Sequence, residues 1–256
     1  MHNRGPKMDL LVGSIALRPY VFLFLAAFLW AGARDLGPRR TLLFGGVVWP
    51  IAWAAELSSI HVGFPFGFYR YTELTRGQEL YIAGVPLFDS LSFTFLAYAA
   101  YCLARWTLVG RGAPSTVRAV LTGFFMMMLD VVIDPAAVRG DRWFLGDLFA
   151  YPGGGVYFGV PLSNFAGWWL VGALGVMVYE AWARPGPGRA DGRIDAGIAL
   201  YYAVLAFNLA VTGWIGEWTL VAVGIALHAP MALAVVTVAR RAPNRSLLGT
   251  RGAERV

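Results

Sequence analysis

Seven apolar runs, each long enough to cross roughly 30 Å of hydrocarbon, dominate this chain. They fall at about 14–33, 41–60, 85–106, 116–134, 160–182, 196–215 and 218–239. Within lipid, backbone N–H and C=O groups must find partners inside their own segment, so runs of this length become helices. The expected fold is an all-α integral membrane protein with seven transmembrane helices. Composition agrees: 58% of the 256 residues are hydrophobic and 14% charged, too few charges to cover a soluble domain of this size. Breakers separate the runs at Gly37-Pro38, Gly112-Ala113-Pro114, Pro152 to Gly155 and Arg184 to Gly188. Arg18-Pro19 interrupts the first run and no clean small-residue cleavage site follows, so that run reads as a span and not as a signal peptide.

The basic residues orient the bundle. Fourteen of the 21 Lys and Arg lie in the first, third and fifth loops, the adjacent helix ends and the C-terminal segment, from Arg34, Arg39 and Arg40 through to Arg255. By the positive-inside rule those loops face the cytoplasm, which places the N-terminus outside and the C-terminus inside. Residues 1–242 are expected to form one transmembrane domain, and 243–256 a basic cytoplasmic tail. Arginine outnumbers lysine twenty to one, as in a GC-rich bacterial or archaeal genome, so the expected location is the cell membrane of such an organism. The net charge of +6 reports topology here, because no basic run is interleaved with aromatics in the manner of nucleic-acid binders.

Cofactor chemistry finds no foothold. The single cysteine, Cys102, permits neither a disulfide nor a thiolate metal site. His2, His61 and His228 are scattered and make no metal constellation. Walker, Rossmann and G-x-S-x-G motifs are missing from the sequence, so neither a metal nor an organic cofactor is expected. His228 lies mid-span on the last helix in a stripe with Glu217, Val221 and Gly224, where a helix–helix hydrogen bond is the ordinary role.

Polar residues inside a bilayer are costly and so point to function. Glu56 falls near the outer end of the second span, Asp89 near the outer start of the third, Asp130 and Asp134 at the outer end of the fourth, and Asn164 at the outer start of the fifth. Each has a plainer reading. Asp134 precedes Pro135 and suits a helix end, Glu56 suits the headgroup zone, and Asp89 and Asn164 suit first-turn or capping positions. Their common depth favours one polar cluster, whereas the inner half reads as lacking polar residues. Asp130 and Asp134 are spaced i, i+4, which brings two carboxyls together where both cannot readily ionise. A proton retained beside an ionised neighbour is what acid–base chemistry requires. Trp49, Trp53 and Glu56 follow i, i+4, i+7, so the two indoles are expected to line the carboxylate's face.

Two loops on the same side are aromatic: "HVGFPFGFYRYTELTRGQELYIAGVPL", with Phe66, Phe68 and Tyr69, and "FAYPGGGVYFGVPLSNFAGW", with Tyr157, Phe158 and Trp168. They read either as an interfacial aromatic belt or as the lining of an entrance for an extended apolar substrate. Arg70 and Arg76 have Glu73 and Glu79 as candidate partners, and Arg18 is placed to be a counter-ion for the acids. Both loops end in Gly-Val-Pro-Leu, 75 residues apart, with Asp89 and Asn164 aligned. Spans two–three and four–five therefore read as a parallel repeat, an arrangement that places sites at the repeat interface.

The blocks "AAELSSIHVGFPFGFYRYT", "GVPLFDSLSF", "MLDVVIDPAAVRGDRW" and "GVYFGVPLSNFAGWW" together resemble the bacterial and archaeal carotenoid-biosynthesis membrane proteins, a family that includes carotenoid 1,2-hydratases. The likeness covers roughly residues 49–169. It implies cofactor-independent addition of water to the terminal C=C of a ψ end group, with Glu56, Asp89, Asp130, Asp134 and Asn164 at the family's acidic and amide positions. On that reading Asp130 or Asp134 protonates the alkene and Glu56 or Asp89 activates water, with Asn164 orienting the base. Trp49, Trp53, Trp168 or a loop aromatic shelters the tertiary cation, and Phe66, Phe68, Tyr69, Tyr157 and Phe158 complete the substrate contacts. The implied partners are a carotenoid or other polyisoprenoid, membrane lipids and other enzymes of the same pathway. Two alternatives stay open: a lycopene-cyclase-like reaction that begins with the same protonation, and a non-catalytic binder or proton-coupled transporter.

Overall fold

The computed structural model describes residues 6–183 and 194–241. Its regular structure is helical: α1 (Pro6–Leu17), α2 (Pro19–Asp35), α3 (Pro38–Val62), α4 (Leu87–Thr107), α5 (Ser115–Ala137), α6 (Leu162–Ala183), α7 (Asp195–Trp214) and α8 (Trp218–Arg240). Six of these, α3 to α8, are long and apolar enough to cross a membrane, and the bent pair α1–α2 brings the count to seven if taken as one span. The chain is thus a multi-pass, all-α membrane protein. The first expected span, 14–33, is not one continuous helix. The chain turns by 90° at Arg18, because Pro19 at the first position of α2 cannot continue a preceding helix and Arg18 leaves helical geometry. The basic tail expected over 243–256, and Arg184, Arg189 and Arg193 of the fifth loop, lie outside the described residues.

Helix α4 forms the axis of the bundle. It contacts α2, α3, α5, α6, α7 and α8, and every residue from Phe93 to Ala104 is buried, the pattern of a helix that is apolar all round. Helices α5 and α6 pack most closely. At Gly172 an added Cβ would sit 3.0 Å from the Gly123 Cα and 2.9 Å from the Met126 Sδ, so these two small residues set the interaxial distance. Helix α8 lies at the periphery, with Leu233 and Ile225 facing outward.

Loops 63–86 and 138–161 close one end. A two-residue antiparallel pairing, β1 (Arg70–Tyr71) with β4 (Phe149–Ala150), joins them, reinforced by the Thr72 N–H donating to the Leu148 carbonyl at 2.9 Å. The first loop ends in a hairpin of β2 (Tyr81–Ile82) and β3 (Val85–Pro86). Its turn residues Ala83 and Gly84 have φ of +51° and +84°. In the second loop Phe158 and Gly159 have +50° and +90°, and Tyr157 pairs with Val160. Both Gly-Val-Pro-Leu copies therefore leave the same kind of turn, with two successive positive φ angles as in type I′.

The opposite end is not apolar, which corrects the expectation from sequence. Arg105 pairs with the buried Asp35 at 2.5 Å, and Arg118 holds Glu180 through two contacts of 2.5 and 2.7 Å, with the Tyr101 hydroxyl donating to the same carboxylate at 2.8 Å. These charges sit at helix ends, and packing against α4 encloses them.

Candidate active site

Helix α5 carries Asp130 and Asp134 one turn apart, on its face toward α6. Asn164 lies in the first turn of α6, and its Nδ2 donates to Asp130 Oδ2 at 2.6 Å and to Asp134 Oδ2 at 2.8 Å. One amide thus uses both of its hydrogens on two carboxyls, which locks its orientation. Glu56, on α3, is 4% exposed and accepts a hydrogen bond from the Tyr71 hydroxyl at 3.0 Å. Burial first, and the neighbouring Glu56 carboxyl second, push the Tyr71 hydroxyl well above its ordinary range, so it remains a donor throughout the neutral range. The Tyr69 hydroxyl, 3.5 Å from that of Tyr71, is pushed up by the same two causes.

Asp89, in the first turn of α4, has a cation. Arg18 pairs with it through Nη1 and clasps Glu79 with Nε at 2.7 Å and Nη2 at 3.0 Å. Arg18 is 1% exposed, and the clasp ties the α1–α2 break to the first loop and to α4. The counter-ion role expected of Arg18 is therefore filled, and Glu79 shares it. Arg76 pairs with Glu73, while Arg70 lies over the Phe68 ring at 5.3 Å.

A cavity of about 130 Å³ opens between these groups, where one water needs roughly 10–15 Å³ on the same measure. Glu56, Asp89, Asp134, Asn164 and Arg18 supply its polar wall. Phe66, Tyr69, Phe93, Tyr151 and Trp168 face them, with Phe93 stacked on Trp168 at 4.4 Å. Along α4 the cavity runs from Asp89 to Leu96, about 10 Å at 1.5 Å per residue, and its deep part is apolar. Asp130 is fully buried but does not line the cavity.

The structure divides the expected aromatic contacts. Phe66, Tyr69 and Trp168 line the cavity; Trp49, Trp53, Phe68, Tyr157 and Phe158 do not. An indole N–H inside a membrane needs an acceptor. Trp49 finds the Ser90 hydroxyl at 3.1 Å and Trp53 the Ile82 carbonyl at 3.2 Å, which turns both toward α4 and the hairpin instead of toward Glu56's cavity. Tyr157 donates to the Val131 carbonyl at 3.2 Å, Phe158 lies under Arg139 at 5.7 Å, and Phe68 is 41% exposed. His228 Nδ1 lies 2.9 Å from the Gly224 carbonyl of its own helix.

Other lining residues escaped the sequence reading. Phe93 follows Asp89 by four residues, a helical spacing that could have found it. Tyr71 sits two residues after Tyr69, the strand alternation that places both side chains on one side. Tyr151 carries no such signal, because only the β1–β4 pairing brings it in. Among the described residues, no group of three or more His, Cys, Asp or Glu is placed to hold a metal ion.

The fold and site define a polytopic membrane protein with carboxyls enclosed at one end of its helical bundle. The sequence profile of the carotenoid biosynthesis protein family matches residues 10–231, and the chain belongs to that family. It is 32% identical over 178 residues to the bisanhydrobacterioruberin hydratase of Haloarcula japonica, an alignment covering 67% of this chain and 57% of that relative. The match thus spans little more than half the length of the relative. No solved structure matches the chain.

Proposed function

We propose that the chain is a carotenoid hydratase that adds water across the terminal C=C of an acyclic ψ end group. The observation that carries this reading is the cavity itself: three carboxyls in an aromatic chamber whose one lining cation among the described residues, Arg18, is already engaged by Asp89 and Glu79. Such a chamber favours a transient positive charge and disfavours an anion. The name of the Haloarcula relative and the family membership support the same chemistry.

The reaction then runs as follows. Asp134 gives its proton to the less substituted alkene carbon; the π pair forms the new C–H bond and leaves a tertiary cation. Asn164 holds the resulting carboxylate through Nδ2. Phe93, Trp168 and Phe66 present ring faces to the cation, worth up to about 2 kcal/mol each when desolvated. Water adds to the cation and loses a proton to Glu56, whose orientation Tyr71 maintains. One proton passing from Glu56 to Asp134 resets the site. Asp89, held by Arg18, is assigned a structural and electrostatic part, which narrows the sequence-based choice between Glu56 and Asp89. The roughly 10 Å depth along α4 suits the end of a polyisoprenoid, with the rest of the chain left in the bilayer.

The arginine distribution supports the accompanying topology: N-terminus and acid chamber outside, C-terminus cytoplasmic, in the cell membrane of a bacterium or archaeon. The partners are a bilayer polyisoprenoid, lipids and the enzymes that supply the substrate. The matching turns before Pro86 and Pro161 support reading α3–α4 and α5–α6 as parallel copies within one domain. The test is expression in hosts making lycopene, γ-carotene or longer acyclic carotenoids, with pigments weighed by mass spectrometry. A gain of one water per end group is the expected result. An isomer of unchanged mass would mean that an internal alkene captures the cation, and unchanged pigment in every host would refute both.

A further inference from the structure

Asp130 sits behind the chamber. Its side chain is fully buried, it is not on the cavity wall, and its Oδ1 has no hydrogen-bond partner among the described residues. Its shortest side-chain hydrogen bond comes from the Asn164 amide, shared with Asp134. No cation reaches either carboxyl among the described residues, since Arg18 is spent on Glu79 and Asp89. Both lie toward the carbonyl end of α5 (Ser115–Ala137), where the helix dipole opposes negative charge. An ionised Asp130 would be a buried charge with one hydrogen bond, the least tolerable state for a carboxyl.

Resting on the hydratase reading, we propose that Asp130 is a positioning residue that keeps its proton throughout the cycle, while Asp134 alone exchanges one. In its neutral form Asp130 anchors Asn164, so the second amide hydrogen stays aimed at Asp134. When Asp134 becomes a carboxylate, that hydrogen is already in place to bind it, and no second anion lies beside it. The other ionisable groups around the pair are Glu56 from α3, Asp89 with its Arg18 from α4 and the helix break, and Tyr69, Tyr71 and Tyr151 from the loops. Tyr157 joins them from the second loop, its hydroxyl bonded to the Val131 carbonyl; α6 contributes the neutral Asn164 and Trp168, and α7 the neutral Asn208.

The test compares two neutral isosteres and a spectrum. An amide mimics a carboxylic acid that never ionises and still accepts from Asn164. Asp130→Asn should therefore retain hydration within about tenfold with KM little changed, while Asp134→Asn should lose roughly 10²–10⁴-fold, the usual worth of a general acid. Infrared spectra of the purified protein in lipid should show a protonated-carboxyl stretching band that persists across the pH range of activity. It should hold two components, one lost in Asp130→Asn and the other, that of the proton-donating Asp134, lost in Asp134→Asn. Asp130→Glu, which keeps a carboxyl at longer reach, should shift the first component if Asp130→Asn fails to accumulate. Equal loss of activity in the two Asn variants, or a persistent band untouched by every Asp130 substitution, would overturn the proposal. The band needs no turnover, so it decides the proposal even if the wild-type protein hydrates no carotenoid and the hydratase reading fails.

Discussion

The Glu56 carboxyl accepts the Tyr71 hydroxyl at 3.0 Å, and this contact gives the simplest residue-level test. Tyr71→Phe keeps the aromatic wall but removes the donor, so KM should hold while kcat falls. A lost buried hydrogen bond to a charged group is worth about 1–3 kcal/mol, or roughly 5- to 150-fold in rate. Because the Tyr71 hydroxyl is held well above its ordinary range, it does not titrate near neutrality and acts on Glu56 as a hydrogen-bond donor. Single-turnover conversion in proteoliposomes measures the loss, and a Tyr71→Phe variant that converts at the wild-type rate would remove Tyr71 from the site. At this same scale the sequence was informative about acids and poor about aromatics. Glu56, Asp89, Asp130, Asp134 and Asn164 stand out because a polar group in a long apolar run has few excuses. Trp49 and Tyr157 look equally eligible, yet each is turned by a hydrogen bond that only its folded neighbours supply.

At the level of elements, the repeated Gly-Val-Pro-Leu is a device for starting a helix at a defined place. In both copies a turn with two positive φ angles reverses the chain, and the proline then stands just before α4 or within one residue of α6. Gly84 and Gly159, at +84° and +90°, occupy backbone that L side chains avoid. Gly84→Val and Gly159→Val should each lower stability by about 1–2 kcal/mol, read as matching shifts in thermal unfolding of the detergent-solubilised protein. A shift in only one of them would mean that the two turns differ in their weight on the fold. The helices themselves were largely legible, within a few residues at most ends, since length and hydropathy decide them. The first was not, because a run of apolar residues says nothing of direction, and the 90° turn at Arg18 is set by Pro19 and by the pull of Glu79 and Asp89.

Over the whole molecule, the bundle has two polar ends of different character. At one, Asp35 and Glu180 meet Arg105 and Arg118 directly, charge against charge. At the other, Glu56 accepts from a tyrosine hydroxyl, and Asp130 and Asp134 share the Asn164 amide. Carboxyls neutralised by an arginine hold a structure together; those held by neutral donors beside a cavity suit proton transfer. Arg118→Met leaves Glu180 enclosed with the Tyr101 hydroxyl as its remaining side-chain partner, and should cost about 3–5 kcal/mol of stability, discounted toward the lower figure because the Arg118 side chain is 23% exposed. Protein that does fold should give the wild-type pigment product at the wild-type rate. A changed product would connect the two ends functionally.

The sequence by itself determined that this chain crosses a membrane, about where every span but the first runs, and which acids stand inside apolar runs, because the bilayer penalises exposed backbone and stray charge so heavily that few arrangements survive. Tertiary structure decided the rest. It chose Asp134 over Asp130 for the cavity wall, gave Asp89 a cation and Glu56 a tyrosine hydroxyl, and recruited Tyr71, Phe93 and Tyr151 while turning Trp49 and Trp53 away. Those outcomes depend on which side chain reaches a partner across a helix or loop contact, and distances of a few ångströms between remote residues are not written in local pattern.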